Sequence, residues 1–599
     1  MSRWLAIFDQ KGRIDPEDAI RAFRVYPHFQ PSELTQIHSE KDCWMGVLGP
    51  SGAIHPSGVS VLWDGAVYNW PGKGANTLHL IESYLEHSRT GLDKLNGRWS
   101  FLLRDTCSNT LWLARDRVGV KPLYYWRSGS RLVFASEPKL ILELPFVERE
   151  IDRESLFDYF VLNKVDMQEN TLFKGIRQVM PAHDLFVDLN KGIWEERRYY
   201  QLPFNTSRAA FDGLKDEEYI HGVRERLEAA VQRRVNYYSQ APATLLSGGL
   251  DSSTLACLIA KNSPSQITAL TASYREEGIG EQSWAEIVAK RLQARWLQVW
   301  PTIDGLRKDL EDFIFSQDTP TFSSGTYSQF CLFRMAGEEH IPFVFDGQGA
   351  DALFAGHLPH LPPLWRDLFL SGQFVTLGRE WKSFGPVWKA WAFDATDWLK
   401  NKAVPSLPPS FQHRFKKWYY DELQFLNPDI LEANRKRYLP VSNSGPQTLN
   451  HTLHKGYFGG PLSFLLKALD RAASWSGVET CTPYSDDAEL MEYVFQIPGN
   501  YKIRNGVRKR LLRESCKDLL PDQVIGRQDK MGLVTPNNKW MSELRPLVRG
   551  YLEDQDDDVF NKKVLLRECD RFFNPAGSLE NYRVYKYLSM LVWRSVFKI

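Results

Sequence analysis

The stretch that decides the fold reads Ala243-Thr-Leu-Leu-Ser-Gly-Gly-Leu-Asp-Ser-Ser-Thr-Leu-Ala-Cys-Leu-Ile-Ala260. The apolar run that ends at Leu246 predicts a buried strand, and residues Ser252 to Lys261 have the pattern of an amphipathic helix. We therefore interpret Ser247 to Asp251 as the turn that joins the strand to the helix.

The composition of this turn predicts a phosphate-binding loop. Glycines allow the backbone to approach a ligand closely, and the start of a helix offers unpaired N–H groups and the positive end of its dipole. The acidic residue, Asp251, would be repelled by bare phosphate, so we expect a divalent cation between the two. The predicted ligand-facing residues are Ser247, Gly248, Gly249, Asp251, Ser252 and Ser253.

Two common loops do not match this stretch. A Walker loop would end in Gly-Lys-Ser/Thr, and the turn contains no lysine. A nucleophile elbow, Gly-x-Ser-x-Gly, would need a glycine where Leu245 stands. The string Ser247–Ser253 resembles instead the pyrophosphate-binding loop of the ATP pyrophosphatases, which cleave ATP between its α and β phosphates. That resemblance implies ATP and Mg²⁺ as cofactors; an ordinary glycine-rich turn is the alternative.

The whole chain has the composition of a multidomain globular protein. Its 599 residues exceed what a single core supports. Its 74 basic and 73 acidic residues nearly balance, which argues against nucleic acid or an acidic membrane surface as the main partner. We find no signal peptide and no run that could span a bilayer. The seven cysteines form no Cys-x-x-Cys pair, so we expect free thiols and a cytoplasmic location.

Residues 1–200 are predicted to form stacked sheets, because short apolar alternations are separated by Gly, Asn and Ser turns. Three segments here, Leu95–Asp105, Ala114–Tyr125 and Phe134–Lys139, are similar to the glutaminase half of the class B asparagine synthetases. The resemblance implies an α/β protein with two domains. The first would be an Ntn-hydrolase-like αββα sandwich, and the second a parallel-sheet synthetase domain like the adenine-nucleotide α-hydrolases.

The positions that would carry glutamine chemistry depart from that family. Its nucleophile is an N-terminal cysteine, and the matching residue is Ser2, which could in principle act in the same way. The family's Asn-Gly-Glu-Ile-Tyr-Asn is replaced by Asp64-Gly-Ala-Val-Tyr-Asn69. Ala66 removes a carboxylate that would hold glutamine, Asp64 puts a negative charge where an oxyanion would form, and Asn76 replaces a glutamine-binding acid. We predict a catalytically inactive scaffold; whether Ser2 retains activity stays open.

A linker is predicted at 201–215, followed by a synthetase domain over 216–599. An amphipathic helix is predicted at Asp216–Tyr238. Strands and helices then alternate, which predicts a parallel sheet with its ligand at the carboxyl ends of the strands. The predicted elements are strand Ile267–Ser273, helix Glu281–Gln293, strand Trp296–Val299, helix Ile303–Phe315 and strand Pro342–Phe345.

A second motif, Phe343-Val-Phe-Asp-Gly-Gln-Gly-Ala-Asp-Ala-Leu-Phe-Ala-Gly356, resembles the family's Ser-Gly-Glu-Gly-x-Asp-Glu-Leu-Phe-Gly-Gly. The resemblance implies that Asp351 holds Mg²⁺ together with Asp251, and two carboxylates completed by phosphate oxygens suit that ion. The alternative is that Asp351 only caps the next helix. The family's glutamate is Gln348, which cannot take a proton from an ammonium nucleophile, so this position argues against asparagine as the product.

Two further segments return to the family pattern. Leu469–Asp486 resembles its Asp-Arg-x-Ser-Met motif, with Cys481 in place of an arginine. Gly506–Arg513 resembles the segment whose lysine reaches the reacting centre, which implies that Lys509 is that lysine and a catalytic residue with Asp251 and Asp351. A cation there would stabilise the pentavalent phosphorus of adenylation and the oxyanion of acyl transfer.

An aromatic and basic insertion is predicted at about 357–460. Most of its aromatic residues are expected to pack between helices, and the remainder could line a groove for a peptide. The nearly neutral chain makes nucleic acid a poor candidate for this surface.

These patterns predict an ATP- and Mg²⁺-dependent cyclase that adenylates a carboxylate of a peptide or small amino-acid-like substrate and lets an internal amine displace AMP. We favour a lasso-peptide macrolactam cyclase, with a leader peptidase and a leader-binding protein as partners. Three alternatives remain: a β-lactam synthetase, an ammonia-dependent or sugar-modifying amidotransferase, and a non-enzymatic binding protein.

Overall fold

The computed structural model describes most of the chain. The residues outside the description are 1, 28, 71–75, 277–279, 384–423, 435–447, 528–531, 533–534, 555–557 and 573–577. Much of the predicted insertion at 357–460 therefore lies outside the described residues.

The first 198 residues form two antiparallel six-stranded sheets, ordered β10-β8-β9-β1-β3-β2 and β12-β11-β7-β6-β5-β4. Their inner faces share one apolar cluster, which includes Trp4 and Phe8 of the first sheet and Leu102 and Leu113 of the second. The strands are β1 Arg3–Asp9, β2 Leu34–Ser39, β3 Cys43–Leu48, β4 Gly52–Ile54, β5 Val59–Val67, β6 Gly97–Asp105, β7 Thr110–Arg115, β8 Tyr124–Ser128, β9 Arg131–Ala135, β10 Ile176–Gln178, β11 His183–Asp188 and β12 Ile193–Arg198.

Helices cover the outer faces of both sheets. Side chains of α1, α3 and α4 join the core beneath the first sheet, and Leu80 and Ile81 of α2 pack on the second. This arrangement confirms the predicted αββα sandwich. Among the described residues of this half, the helices are α1 Pro16–Ala22, α2 Asn76–His87, α3 Pro138–Leu142 and α4 Arg153–Leu162.

The rest of the described chain is built on a parallel five-stranded sheet with the order β15-β14-β13-β16-β17. Helices α6 and α7 contribute to the apolar cluster on one face, and α9 and α15 contribute to the cluster on the other. The predicted α/β synthetase fold is therefore confirmed. The strands are β13 Ala243–Leu245, β14 Thr268–Ala272, β15 Arg295–Val299, β16 Phe343–Phe345 and β17 Glu479–Cys481.

The helices of this part, numbered over the described residues, follow in chain order. They are α5 Gly213–Tyr237, α6 Leu250–Asn262, α7 Gln282–Arg291, α8 Ile303–Gln317, α9 Gly325–Glu338, α10 Ala350–Phe354, α11 Leu361–Leu370, α12 Phe374–Ser383, α13 Pro428–Ala433, α14 Leu449–Phe458, α15 Pro461–Trp475, α16 Pro483–Asp486, α17 Ala488–Gln496, α18 Gly499–Lys502, α19 Arg510–Cys516, α20 Asp522–Gly526, α21 Asn537–Asp554, α22 Lys562–Phe572 and α23 Ser578–Phe597.

The structure corrects several boundaries. Helix α5 begins inside the predicted linker, because the Asp212 side chain caps it by accepting a hydrogen bond from the Leu214 N–H at 3.0 Å. We predicted Asp251 at the end of the connecting turn and Ser252 at the start of the helix. Helix α6 instead begins at Leu250, so both residues lie in its first turn. Helix α9 and strand β17 were not predicted.

No helix in the described part of the chain is both long and apolar enough to cross a membrane.

Candidate active site

The predicted phosphate loop lies between β13 and α6. Gly248 has a left-handed backbone, with φ of 72°, and a Cβ there would overlap the backbone of Trp284 and Ala285. Glycine is therefore required at this position. The loop is held by the Ser247 N–H, which donates to the Ser252 hydroxyl at 3.2 Å, and by the Gly249 N–H, which donates to the Ser247 hydroxyl at 3.2 Å.

A cleft with a volume of about 230 Å³ opens in front of this loop. Its walls include the residues that follow the carboxyl ends of β13, β14 and β16, where a parallel sheet binds its ligand. Its lining includes the loop residues Ser247, Gly249, Asp251 and Ser252 together with Asp351 and Lys509.

Two predicted ligand-binding residues do not line the cleft. The Ser253 hydroxyl is buried within α6 and has no hydrogen-bond partner among the described residues. The Gly248 carbonyl accepts a hydrogen bond from Arg527 at 3.3 Å. The prediction counted Ser253 among the hydroxyl donors of the phosphate loop, but the helical phase from Leu250 onward turns successive side chains to different sides of α6.

The three predicted catalytic residues meet at one end of the cleft. Lys509 Nζ lies 2.6 Å from Asp251 Oδ2 and 2.7 Å from Asp351 Oδ1. Burial lowers the pKa of Lys509, and the contact with Asp251 offsets this only in part. Sequence reasoning placed a metal ion between the two aspartates, whereas in the structure the lysine ammonium lies there.

The carboxylates nevertheless fit a divalent cation. Asp251 Oδ1 is buried and has no hydrogen-bond partner among the described residues, so one oxygen remains to ligate an ion that arrives with phosphate. The described residues contain no group of three or more His, Cys, Asp or Glu that could hold a metal. Phosphate oxygens and water would therefore complete the coordination of Mg²⁺ by Asp251 and Asp351.

Several charged residues of the cleft were missed by sequence reasoning. Arg527 donates to Glu281 at 2.5 Å and to the Gly248 carbonyl at 3.3 Å, so it braces the phosphate loop. Arg513 donates to the Arg527 carbonyl at 2.5 Å and also lines the cleft. These guanidinium groups are donors of the kind that bind phosphate oxygens. No local pattern distinguishes them from surface arginines.

Asp346 is a further acidic residue of the cleft that was missed. Burial raises its pKa to about 6; the Gln348 N–H, which donates to its Oδ1 at 2.6 Å, opposes that rise, and the nearby Asp251 adds to it. Gln348 itself also lines the cleft, with a neutral amide where the family has a carboxylate.

The glutaminase-like pocket of the N-terminal half, around Ser2 and Asp64, contains a buried ion cluster. The backbone N of Ser2 lies 3.3 Å from Asp64 Oδ1, and Asp64 Oδ2 lies 3.1 Å from Lys121 Nζ. Lys121 also contacts two acids of the synthetase half, Asp470 at 2.9 Å and Glu479 at 3.7 Å. Charges in this pocket therefore pair with one another across the two halves.

The other altered positions of this pocket are also buried. Ala66 is 2 % exposed. The Asn76 side-chain amide donates to the Tyr237 hydroxyl at 2.9 Å, so it contacts helix α5. Neither residue offers a carboxylate to a glutamine substrate.

Comparison with known proteins places the chain in a family. The Asparagine synthase model matches residues 222–594, and the Glutamine amidotransferase domain model matches residues 73–200. The chain belongs to the asparagine synthase family and is an enzyme of the ATP-dependent, amide-forming ligase class.

Its curated relatives are distant. It is 25% identical to asparagine synthetase [glutamine-hydrolyzing] 3 of Bacillus subtilis, over 84% of this chain and 78% of that protein. It is 23% identical to asparagine synthetase [glutamine-hydrolyzing] 1 of the same organism, over 90% of this chain and 85% of that protein. A shorter match, 28% identical over 46% of this chain and 42% of the relative, is to amidase chyE of Penicillium rubens.

Proposed function

We propose that this protein is an ATP- and Mg²⁺-dependent cyclase that joins a carboxylate and an amine of one substrate molecule. The observation that carries the proposal is a contrast between its two halves. The synthetase cleft keeps Lys509 beside Asp251 and Asp351. In the glutaminase-like pocket, a carboxylate lies 3.3 Å from the Ser2 nitrogen, where an oxyanion would need donors. On this proposal the chain activates a carboxylate and takes no ammonia from its glutaminase-like half.

The proposed reaction has two steps. ATP supplies the electrophilic α-phosphorus. A substrate carboxylate oxygen attacks it, and the bond to pyrophosphate breaks, which leaves an acyl adenylate. The internal amine then attacks the acyl carbon, the bond to AMP breaks, and the nitrogen loses a proton to complete the amide.

Residues of the cleft have separate roles in these steps. The loop from Ser247 to Ser252 holds phosphate through N–H and hydroxyl groups, and Arg527 braces the loop by donating to the Gly248 carbonyl. Asp251 and Asp351 would hold Mg²⁺. We expect Lys509 to leave the two carboxylates when the cation binds, and its ammonium then stabilises the charge on phosphorus and on the acyl oxyanion.

A peptide is the substrate that we favour, which makes a lasso-peptide macrolactam cyclase the preferred subclass. The described part of the insertion supports this choice. Phe374, Val375 and Trp381 expose large apolar side chains along α12, and such residues are common where peptides dock. A leader peptidase and a leader-binding protein would then be partner proteins. A β-lactam synthetase, which acts on a small amino diacid, uses the same chemistry and is the closest alternative.

An ammonia-dependent asparagine synthetase-like amidotransferase is the second candidate. The two Bacillus subtilis relatives are named asparagine synthetases, which favours asparagine-type chemistry, but their names specify glutamine hydrolysis and not free ammonia. Gln348 opposes it, because a neutral amide cannot take a proton from an ammonium nucleophile.

The test measures AMP formation and identifies the products by mass spectrometry. The Asp251→Asn variant is the inactive control. The substrate panel is a lasso precursor peptide, β-amino diacids, and aspartate with ammonium. We expect AMP and pyrophosphate together with a product one water lighter than its precursor. If aspartate with ammonium were the one substrate of the panel that gave AMP, the cyclase would be rejected and the second candidate established.

A further inference from the structure

Helix α12, in the described part of the insertion, ends beside the turn that leads to Lys509. Its residue Glu380 is only 1 % exposed. One carboxylate oxygen of Glu380 accepts the Asn505 N–H at 2.5 Å, and the other accepts the Gly506 N–H at 3.1 Å. A buried carboxylate thus holds two consecutive backbone groups of a turn 125 and 126 residues further along the chain.

The backbone of this turn is shaped for that contact. Asn505 and Gly506 are both left-handed, with φ of 50° and 75°, and Arg504 pairs with Val507 across them. Successive N–H groups in such turns converge and form a concave site for an anion. A Cβ at Gly506 would lie 2.6 Å from the Ser383 Cβ, so the turn packs directly on the end of α12.

The same turn sets the position of the lysine. Lys509 follows three residues after Gly506 and has a left-handed backbone, with φ of 53°. Arg508 fixes the segment by donating to the Gly356 carbonyl at 2.7 Å. A Cβ at Gly356 would overlap both the Lys509 side chain and the Asp351 carboxylate, so the lysine stem packs directly against Gly356. A shift of the turn would therefore move the ammonium.

We infer that Glu380 is a positioning residue for Lys509: it holds the Asn505–Gly506 turn against α12 and so fixes where the lysine ammonium lies in the cleft. The inference rests on the proposed function in one respect, that Lys509 acts on the reacting centre. It also gives the insertion a role in the chemistry, since α12 lies within the segment 357–460.

The kinetic test compares Glu380→Ala and Glu380→Gln with Lys382→Ala, a change at an exposed position of the same helix. A misplacement of about 1 Å costs on the order of 100-fold in rate. We expect Glu380→Ala to lower the rate of AMP formation roughly 10- to 100-fold and the affinity for ATP less than about 3-fold. Glu380→Gln keeps one acceptor oxygen and should be intermediate; it carries the test if the alanine variant does not fold. The Lys382→Ala rate should match the wild-type rate.

A double-mutant cycle separates positioning from a general structural effect. In a Lys509→Met background the lysine is already gone, so Glu380→Ala should cause no further loss of AMP formation. An equal fold-loss in both backgrounds would overturn the inference, and so would a wild-type rate for Glu380→Ala.

Amide hydrogen exchange tests the link without any turnover. We expect faster exchange at residues 503–510 in Glu380→Ala, and unchanged exchange there in Lys382→Ala. Unchanged protection in Glu380→Ala would overturn the inference. If the wild-type protein forms no AMP, the proposed function fails, while the exchange result still decides whether Glu380 holds the turn.

Discussion

Two buried lysines, one in each half of the molecule, contact carboxylates in different ways. Lys121 is fully buried and contacts acids from both halves; burial lowers its pKa, but Asp470, Asp64 and Glu479 together outweigh burial and leave the pKa raised. Lys509 also contacts two carboxylates, yet its pKa is lowered and it lines an open cleft. The Lys121 cluster is closed and joins the two halves. The Lys509 cluster lines the cleft, so we expect its charge partners to change when a ligand binds.

The largest expected effect comes from removing the cleft lysine. Lys509→Met should lower the rate of AMP formation by about 10²- to 10³-fold, the usual cost of losing a group that stabilises transition-state charge. The same variant leaves Asp251 and Asp351 without their cation, so it should bind Mn²⁺ more tightly than the wild-type protein in the absence of ATP. If the Lys509→Met variant formed AMP at a rate within a few-fold of the wild-type rate, Lys509 would not be a catalytic residue.

Lys121→Met should act on stability instead. It leaves the buried Asp64 without its lysine partner and leaves Asp470 with Arg471 alone, and breaking a buried pair in this way costs about 3–5 kcal/mol. Thermal unfolding measures the loss, with Lys174→Met as a control, because that lysine pairs with Glu150 at the surface. Folded Lys121→Met should still form AMP. A variant as stable as wild type would show that the cluster does not join the halves.

A third buried lysine, Lys502, should make the stability of the protein depend on pH, unlike Lys121. Lys502 is fully buried, its Nζ donates to Asn450 Oδ1 at 2.9 Å, and burial lowers its pKa to about 7. An unfolded lysine keeps its proton to about pH 10.4. The unfolded state therefore binds more protons between pH 7 and 10, and the unfolding free energy rises with pH there.

The expected gain from pH 7 to pH 9 is roughly 2–3 kcal/mol at 1.36 kcal/mol per pH unit. Urea unfolding at the two pH values measures it, and Lys502→Met should lack the gain. Lys121→Met should retain it, because the raised pKa of Lys121 means that both folded and unfolded states keep its proton over this range. Equal pH profiles for wild type and Lys502→Met would contradict the assignment.

The smallest expected effect concerns the glutaminase-like pocket. Ser2→Ala should change AMP formation less than about twofold, because the pocket lies in the other half and contributes no amine. Glutamine should not stimulate turnover by either protein. A loss of glutamine-dependent turnover in Ser2→Ala would mean that this pocket is catalytic.

Much of this architecture could be predicted because its signals are local. The strand, glycine turn and helix at 243–262 are adjacent in sequence, so their pattern placed both the sheet and the phosphate loop. Strand β17 was missed because its three residues, Glu479–Cys481, include a charged and a polar side chain and so show no apolar run, unlike the equally short β16. Helix α9 was missed because small and polar residues interrupt its apolar positions.

The arrangement of charges within the site could not be predicted in the same way. Lys509 and Asp251 are 258 residues apart, and nothing in either local pattern shows that the ammonium lies between the two aspartates. Arg527 and Glu380 act through backbone groups that become neighbours only after folding. Ser253 was assigned to the site as a hydroxyl donor of the Ser247–Ser253 string, and a string of residues does not show the direction of each helical side chain.

The most direct test of an internal amine is to determine where the nitrogen of the new amide comes from. The protein would be incubated with ATP, Mg²⁺ and the precursor peptide in the presence of ¹⁵N-ammonium and amide-¹⁵N-glutamine, and the product would be weighed by mass spectrometry. We expect a product one water lighter than its precursor, without ¹⁵N. A product that carries ¹⁵N in its new amide would contradict an intramolecular amine and show that the enzyme uses ammonia.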